Sequence, residues 1–283
     1  MSIRTDLVLE QKEMHTEDLS GAESDMRKIG VAEIEKVIIK THAAAKALSK
    51  PIGTYITISF PELLSLADYD DISRAIIYSL KELLGKTENN FLAIGLGNAD
   101  ITPDAIGPFT VDKLLATRHI SSSLANTLGL HGLKNVSALI PGVLGKTGIE
   151  ALEIIKGTVE RTSPEAVIVI DALAARRTER LCRTVQLCNT GISPGSGVQN
   201  SRAQISEDIL GVPVVAIGIP TVADIGSIIS DLGGKTPQGA HNSMMVTPKD
   251  IDLLVRRSSE VLADALNKFL QPSLDAETIK ALV

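Results

Sequence analysis

The sequence predicts an α/β fold: three layers, with a mostly parallel sheet covered by helices on both faces. From Phe91 onward, short apolar runs alternate with longer segments of helical periodicity, the pattern of strand, crossover helix and strand. Those runs are continuously apolar rather than alternating, as strands buried on both faces require. The chain has 283 residues, 44% hydrophobic and 22% charged, enough for one large α/β core. Aromatic residues make up only 2% and Trp is absent, so that core must be built from Ile, Leu, Val and Ala. No internal repeat or linker interrupts the pattern, and a single domain over 1–283 is expected.

Taken in order, residues 1–30 are polar, with Glu10, Lys12, Glu13, His15, Glu17, Asp18, Glu23 and Asp25 and little periodicity. They read as an arm or loosely ordered segment. Glu33–Thr41 predicts a strand, and Gly53–Phe60, β-branched and alternating, a stronger one. The Ala-rich His42–Ser49 between them favours a short helix. Asp71–Leu84 repeats apolar residues at Ile72, Ala75, Ile76, Leu80 and Leu83, an amphipathic helix with Asp70 or Asp71 as cap. Further strands fit Phe91–Gly95, Val136–Ile140, Ala166–Ile170, Thr184–Cys188 and Val214–Gly218. Helices fit Ile106–Arg118, Gly148–Arg161, Val222–Leu232 and Lys249–Leu270, and the Gly-rich stretch from Gly233 to Ser243 reads as a loop.

Composition excludes several functions. A net charge of −6 argues against the chain itself gripping DNA or RNA, whose readers are basic. No apolar run reaches the roughly eighteen residues of a membrane span. The N-terminus lacks a basic-then-apolar signal, so a cytoplasmic protein is expected. Cys182 and Cys188 lie six residues apart on what reads as one strand, too far apart for a disulfide. With no CxxC or Cys/His cluster, a structural zinc site is not predicted.

The stretch Phe91 to Pro108 holds the densest signal. An apolar strand runs into Gly95-Leu96-Gly97-Asn98, where the glycines allow a tight turn and close approach to a ligand. Asn98 can hold the turn through its neighbouring backbone. Thr102-Pro103-Asp104 then opens a helix carrying Val111, Leu114 and Leu115 on one face. Asp104 taken alone reads as a helix cap. A second carboxylate, Asp171, follows the apolar run Val167–Ile170, where open α/β sheets keep their chemistry, although a turn Asp paired with Arg176 or Arg177 has the same letters. Two carboxylates meeting in one cleft push their pKa values apart and can share a proton or activate water.

Three other motifs are weaker. Gly191-Ile-Ser193-Pro194-Gly195 has the letters of a nucleophile elbow, but the oxyanion donor would be the backbone N–H after the serine, and Pro194 has none. Gly142 to Thr147 resembles the end of a phosphate loop, yet Ile140 stands where its first glycine belongs. The five histidines, His15, His42, His119, His131 and His241, form no HExxH pair; His119 and His241 are the two with reach to the cleft.

Longer strings carry a resemblance. Arg4-Thr5-Asp6-Leu7, Gly95-Leu-Gly-Asn98, Thr102 to Pro108, Pro141-Gly-Val143 with Thr147 to Glu150, Ile170 to Arg176, Ser193 to Gly197, Val215 to Thr221 and Met245 to Pro248 together resemble the germination proteases of spore-forming bacteria. The resemblance spans nearly the whole chain and implies a fold shared with hydrogenase maturation proteases. It implies a homotetrameric endopeptidase in the forespore and spore core, made as a self-processing zymogen, that degrades small acid-soluble spore proteins when germination begins. Asp104 and Asp171 match the two family aspartates. Gly95, Gly97, Asn98, Thr102 and Arg176 would support the active-site loop. No cofactor, direct nucleic-acid partner or membrane is implied. A metal-free aspartate pair is expected, with a metal-dependent peptidase using the same aspartates as the alternative and a phosphate-binding protein a distant third. The resemblance breaks between Ile228 and Met245, where the chain is shorter than Bacillus-type members. Asp6-Leu7-Val8-Leu9-Glu10 matches the acidic, apolar, small, any, acidic pattern of sites cut in the spore proteins. Removal of residues 1–6 by cleavage between Asp6 and Leu7, in a mobile arm, is therefore expected.

If the letters around Ser193 are only a turn, Ser193→Ala keeps substantial peptide hydrolysis and serine-directed acylating inhibitors have no specific effect. Covalent labelling of Ser193 with loss of activity would overturn that assignment.

Overall fold

The structure, a computed structural model, describes residues 5–15, 20–61, 66–85, 89–195, 203–231 and 244–283. In chain order the elements are α1 (Val8–Glu13), β1 (Ala22–Ile29), β2 (Ala32–Ile39), α2 (His42–Leu48), β3 (Gly53–Ser59), α3 (Leu66–Leu84) and β4 (Asn90–Gly95). A 3₁₀ turn at Thr102–Asp104 leads into α4 (Ile106–Val111), α5 (Ser122–Thr127), β5 (Asn135–Leu139), α6 (Leu144–Thr147), α7 (Ala151–Thr162) and β6 (Ala166–Ala175). After a second 3₁₀ turn at Thr178–Arg180 come β7 (Thr184–Cys188), α8 (Glu207–Leu210), β8 (Val214–Asp224), α9 (Ile225–Asp231), β9 (Met245–Val246), α10 (Ile251–Leu270) and α11 (Ala276–Leu282).

The strands form one sheet ordered β1-β2-β3-β7-β8-β6-β4-β5, with β9 on the end of β8. The α/β class is as expected. Its parallel part is the run β5-β4-β6-β8, and β7, β3, β2 and β1 extend it as antiparallel neighbours. Strand β6 is buried at every residue but the half-buried Ala172 because both faces are covered. Ile168 and Ile170 point into a core built with α3, α4 and α10, while Val167 and Val169 pack with Ile155 and Val159 of α7. Farther along that second face, Val8 of α1 and Leu48 of α2 cover Tyr55, Cys188 and Ala216. With so few aromatics, branched aliphatics fill the volume; one edge-on ring pair, Phe91 with Phe269 at 6.0 Å, tethers α10 to β4.

Several boundaries differ from expectation for identifiable reasons. The first thirty residues are not a loose arm over the part described. Leu7, Val8, Leu9 and Glu10 are buried, and β1 pairs with β2 along its whole length. As an edge strand with little burial, β1 has no apolar alternation to reveal it. Asp70 and Asp71 lie inside α3 rather than capping it; the Asp71 carboxylate accepts the Val31 N–H at 2.9 Å and pairs with Arg74, which together hold its pKa low. Helix α4 stops at Val111, well before Arg118. Beyond it the backbone finds tertiary partners instead: Leu115 N–H donates to Asn267 Oδ1 at 2.9 Å, and Thr117 and Arg118 donate to the Val136 carbonyl. Gly148, expected to start a helix, ends α6 in the left-handed region at φ 70°. Cys182 lies in the turn before β7, not on it. Strands β6 and β8 run past their expected ends at Ile170 and Gly218, so Val222 belongs to β8 and not to α9. The expected loop 233–243 lies outside the described residues.

Helix α4 rides close on the end of β4 and the middle of β6. A Cβ at Gly107 would stand 2.2 Å from the Leu96 carbonyl oxygen and 2.6 Å from that of Ile170. Gly107→Ala should therefore destabilise the protein by roughly 1–3 kcal/mol or more. Gly157, in α7 with open space around it, gives the opposite sign: Gly157→Ala should stabilise by about 0.5–1 kcal/mol. Urea unfolding of both variants checks the pair, and equal midpoints would reject the close-packing account.

Candidate active site

Strand β4 pairs with β6 only as far as Gly95 opposite Ile170, and Leu96 N–H makes the last bond to the Ile170 carbonyl at 2.8 Å. The chain then turns through Gly97 at φ 111°, where a Cβ would sit 2.0 Å from the Asp104 carbonyl oxygen. Only glycine tolerates both conditions. The Asn98 N–H donates to the Asp104 carbonyl at 3.1 Å and to its Oδ2 at 2.8 Å. Asp104 thus turns its carboxylate back onto the glycine loop and caps no helix; α4 begins after Ala105 without a side-chain cap. Asn98 Oδ1 accepts the Asp100 N–H at 3.1 Å, the turn-holding role expected of it. Thr102 opens the 3₁₀ turn, its carbonyl accepting from Ala105 N–H at 3.1 Å. The close approach at Gly95 is to the Gly107 backbone and not to a ligand.

Asp171 is not at the end of its strand. It is the first residue of β6 beyond the pairing with β4, and the strand continues beside β8 to Ala175. The side chain is buried, and its Oδ1 accepts the Ala172 N–H at 2.9 Å. Asp104 and Asp171 line the same cavity, of about 620 Å³. Gly97 is on that wall as well, while Arg176 is not among the lining residues. The backbone N–H of Arg176 donates to Glu10 Oε2 at 2.7 Å, and that of Arg177 to Glu10 Oε1 at 2.9 Å.

The N-terminal segment reaches the wall of this cavity at Asp6. Asp6 N–H donates to the Ala174 carbonyl at 2.9 Å, and the Asp6 carboxylate accepts the Ala174 N–H at 2.8 Å. Gln186 of β7 donates from Nε2 to the Asp6 carbonyl at 3.0 Å and accepts the Val8 N–H at 2.7 Å. Leu7 is fully buried against Leu173, Ala175, Leu181 and Ala223. Thr5 bonds both Leu7 N–H and Glu10. The bond expected to be cut is therefore fixed and covered rather than mobile; Arg4 and the rest of 1–4 lie outside the described residues. The sequence does not reveal the part of Gln186, nor that Glu10 holds the end of β6 and Gly107 the close approach of α4. A lone Gln in an apolar strand was the one signal for the first.

Ser193 also lines the cavity, in a turn after the Ile192–Ile205 bridge; residues 196–202, including Ser196 and Gly197 of the resembling string, lie outside the described residues. Gly142 and Val143 reach the rim, and Lys146 pairs with Asp100 of the glycine loop. His119 is exposed and away from the lining, and His241 is outside the described residues. Among the described residues no three His, Cys, Asp or Glu side chains gather as a metal site. Burial pushes the Cys182 thiol up to about 12 and raises that of Cys188, so both stay protonated at neutral pH.

The family model for germination protease matches residues 3–233. Curated germination proteases from Clostridium perfringens and Caldanaerobacter subterraneus subsp. tengcongensis are each 38% identical to this chain. The first alignment covers 98% of both chains, the second 100% of this one and 98% of its relative. The germination protease of Geobacillus sp. (strain WCH70) is 33% identical over 361 aligned positions, covering 98% of this chain and 95% of its own. The NiFe hydrogenase maturation protease HycI from Thermococcus kodakarensis KOD1 aligns with a TM-score of 0.38 and 16% identity, over 66% of this chain and 98% of that one.

Proposed function

The chain belongs to the germination protease family, and we propose that it is a spore-germination endopeptidase in which Asp104 and Asp171 activate water. One carboxylate acts ionised, as general base on the water. The other acts protonated, giving its proton to the departing amine. Two carboxyl groups on one cavity allow such a division of roles. The observation that carries this reading is their shared cavity, whose wall includes the chain's own Asp6, held there by Gln186.

That segment supports the zymogen reading. A stretch hydrogen-bonded to Ala174 of β6 and Gln186 of β7, on the wall that Asp171 also lines, takes the place of a substrate in this reading, and cleavage between Asp6 and Leu7 removes residues 1–6. Family membership supports, as part of this reading, small acid-soluble spore proteins as the substrates, a homotetramer as the assembly and the spore core as the compartment.

Asp104→Asn and Asp171→Asn should each keep the fold and lower peptide hydrolysis by roughly 10²–10⁴. The double variant should cost little more than either single one, since the two act as a unit. Near-normal turnover by Asp171→Asn would sink the pair.

Intact-mass measurement tests the processing. Active protein should begin at Leu7, whereas Asp104→Asn protein should retain residues 1–6 apart from the initiator Met. An active protein with its whole N-terminus would show that the segment is a docked arm and never a propeptide.

A further inference from the structure

An aspartate pair supplies a base and an acid, but leaves unanswered what stabilises the oxygen of the carbonyl under attack. Gln186 donates to the Asp6 carbonyl, the one that the proposed cleavage would attack. It is buried on β7, directly opposite Gly218 of β8, which is in turn opposite Asp171 of β6. Partners across adjacent strands project to one face, so Gln186 and Asp171 share a face, their Cα atoms roughly 10 Å apart across two strand spacings. Both line the cavity.

The Gln186 amide spans the Asp6–Leu7 bond. Its Nε2 donates to the Asp6 carbonyl at 3.0 Å, and its Oε1 accepts the Val8 N–H at 2.7 Å. A carbonyl can only accept and a backbone N–H can only donate, so these two partners fix which way the amide faces. The donor cannot turn away while the peptide is in place.

We infer that Gln186 is a catalytic residue, the side-chain donor that grips the scissile carbonyl oxygen and stabilises the oxyanion. The inference rests on the proposed cleavage between Asp6 and Leu7. In that step water adds to the Asp6 carbonyl carbon and gives a proton to the basic aspartate. The carbonyl π pair moves onto the oxygen, where the Gln186 N–H bond strengthens. Collapse of the intermediate breaks the C–N bond, and the Leu7 nitrogen takes a proton from the acidic aspartate. The water's hydroxyl ends in the new carboxyl of Asp6, and a proton ends on the Leu7 amine. A donor already aimed at the oxygen is worth more in the transition state than in the ground state, because charge develops there.

The test uses protein released from a fusion partner to begin at Leu7, so that no variant depends on self-processing, and a synthetic peptide covering residues 1–13. Gln186→Leu should lower kcat by roughly 10²–10³ while KM moves less than tenfold. Gln186→Glu is nearly isosteric and guards against a folding defect. Its ionised carboxylate cannot donate, but its protonated form can. Its turnover relative to the parent protein should therefore rise as pH falls through the pKa of the introduced carboxyl. A Gln186→Leu protein with unchanged kcat and a raised KM, or a flat Gln186→Glu ratio across pH, would reduce Gln186 to a brace for the segment and overturn the inference. A parent protein that does not cut the peptide between Asp6 and Leu7 removes the cleavage reading, and this assignment with it. Full turnover by Asp171→Asn would strike the aspartate pair alone.

Discussion

A buried strand cannot leave its N–H and C=O groups without partners, and β6 meets that constraint at the point where β4 leaves it. Up to Ile170, the backbone of β6 is paired on both edges. From Asp171 onward β8 continues on one side, while the other side has lost its neighbour. An unpaired buried backbone group costs about 1–3 kcal/mol, so each vacancy has to be filled. Asp171 fills the first with its own side chain, taking the Ala172 N–H. Asp6 fills the second, bonding both polar groups of Ala174. Glu10 closes the end of the strand by accepting from Arg176 and Arg177. The same vacancy thus orients a candidate catalytic carboxylate and recruits the N-terminal segment.

The departure of β4 has its own steric cause. Gly95 and Gly107 let α4 lie against the strand ends, and Gly97 lets the loop pass over the Asp104 backbone. With those three positions bare of side chains, Asn98 N–H reaches both oxygens offered by Asp104. The glycine loop and the carboxylate therefore hold one another, and a side chain at any of the three glycines would force them apart. This is why Asp104, although its sequence context looks like a helix start, turns toward the cavity.

Much of this was legible in the sequence. Continuous apolar runs such as Phe91–Ile94 and Val167–Ile170 can only be strands covered on both faces, and Thr184–Cys188 agrees to the residue. The glycine loop was legible from its letters, and the meeting of Asp104 and Asp171 on one cavity from the ends of β4 and of the apolar run before Asp171 in a parallel sheet. What escaped depends on contacts distant in sequence. β6 outlasts Ile170 because β8 accompanies it, a fact stored in register and not in local pattern. Strand β1 is exposed on both faces and so has no alternation to detect. The N-terminal segment read as loose because its three apolar residues, Leu7 to Leu9, are too few for a period, yet Leu7 lies in a pocket whose walls come from residues more than 160 positions away.

The cavity also explains why a short segment can be held so firmly. Asp6 engages β6 and β7 through its backbone groups, and Val8, the first residue of α1, engages β7 through its N–H. That part of the grip carries no sequence information. Selectivity has to come from the two side chains that the segment presents there. Leu7 fills an apolar pocket that a polar residue could enter only by losing its hydration. The Asp6 carboxylate takes the Ala174 N–H, which a longer or neutral side chain would meet with different reach or weaker charge. The two positions thus hold an acidic residue and an apolar one by different means. The chain provides that pair at Asp6 and Leu7, so its own terminus satisfies the strand edge as a bound peptide would.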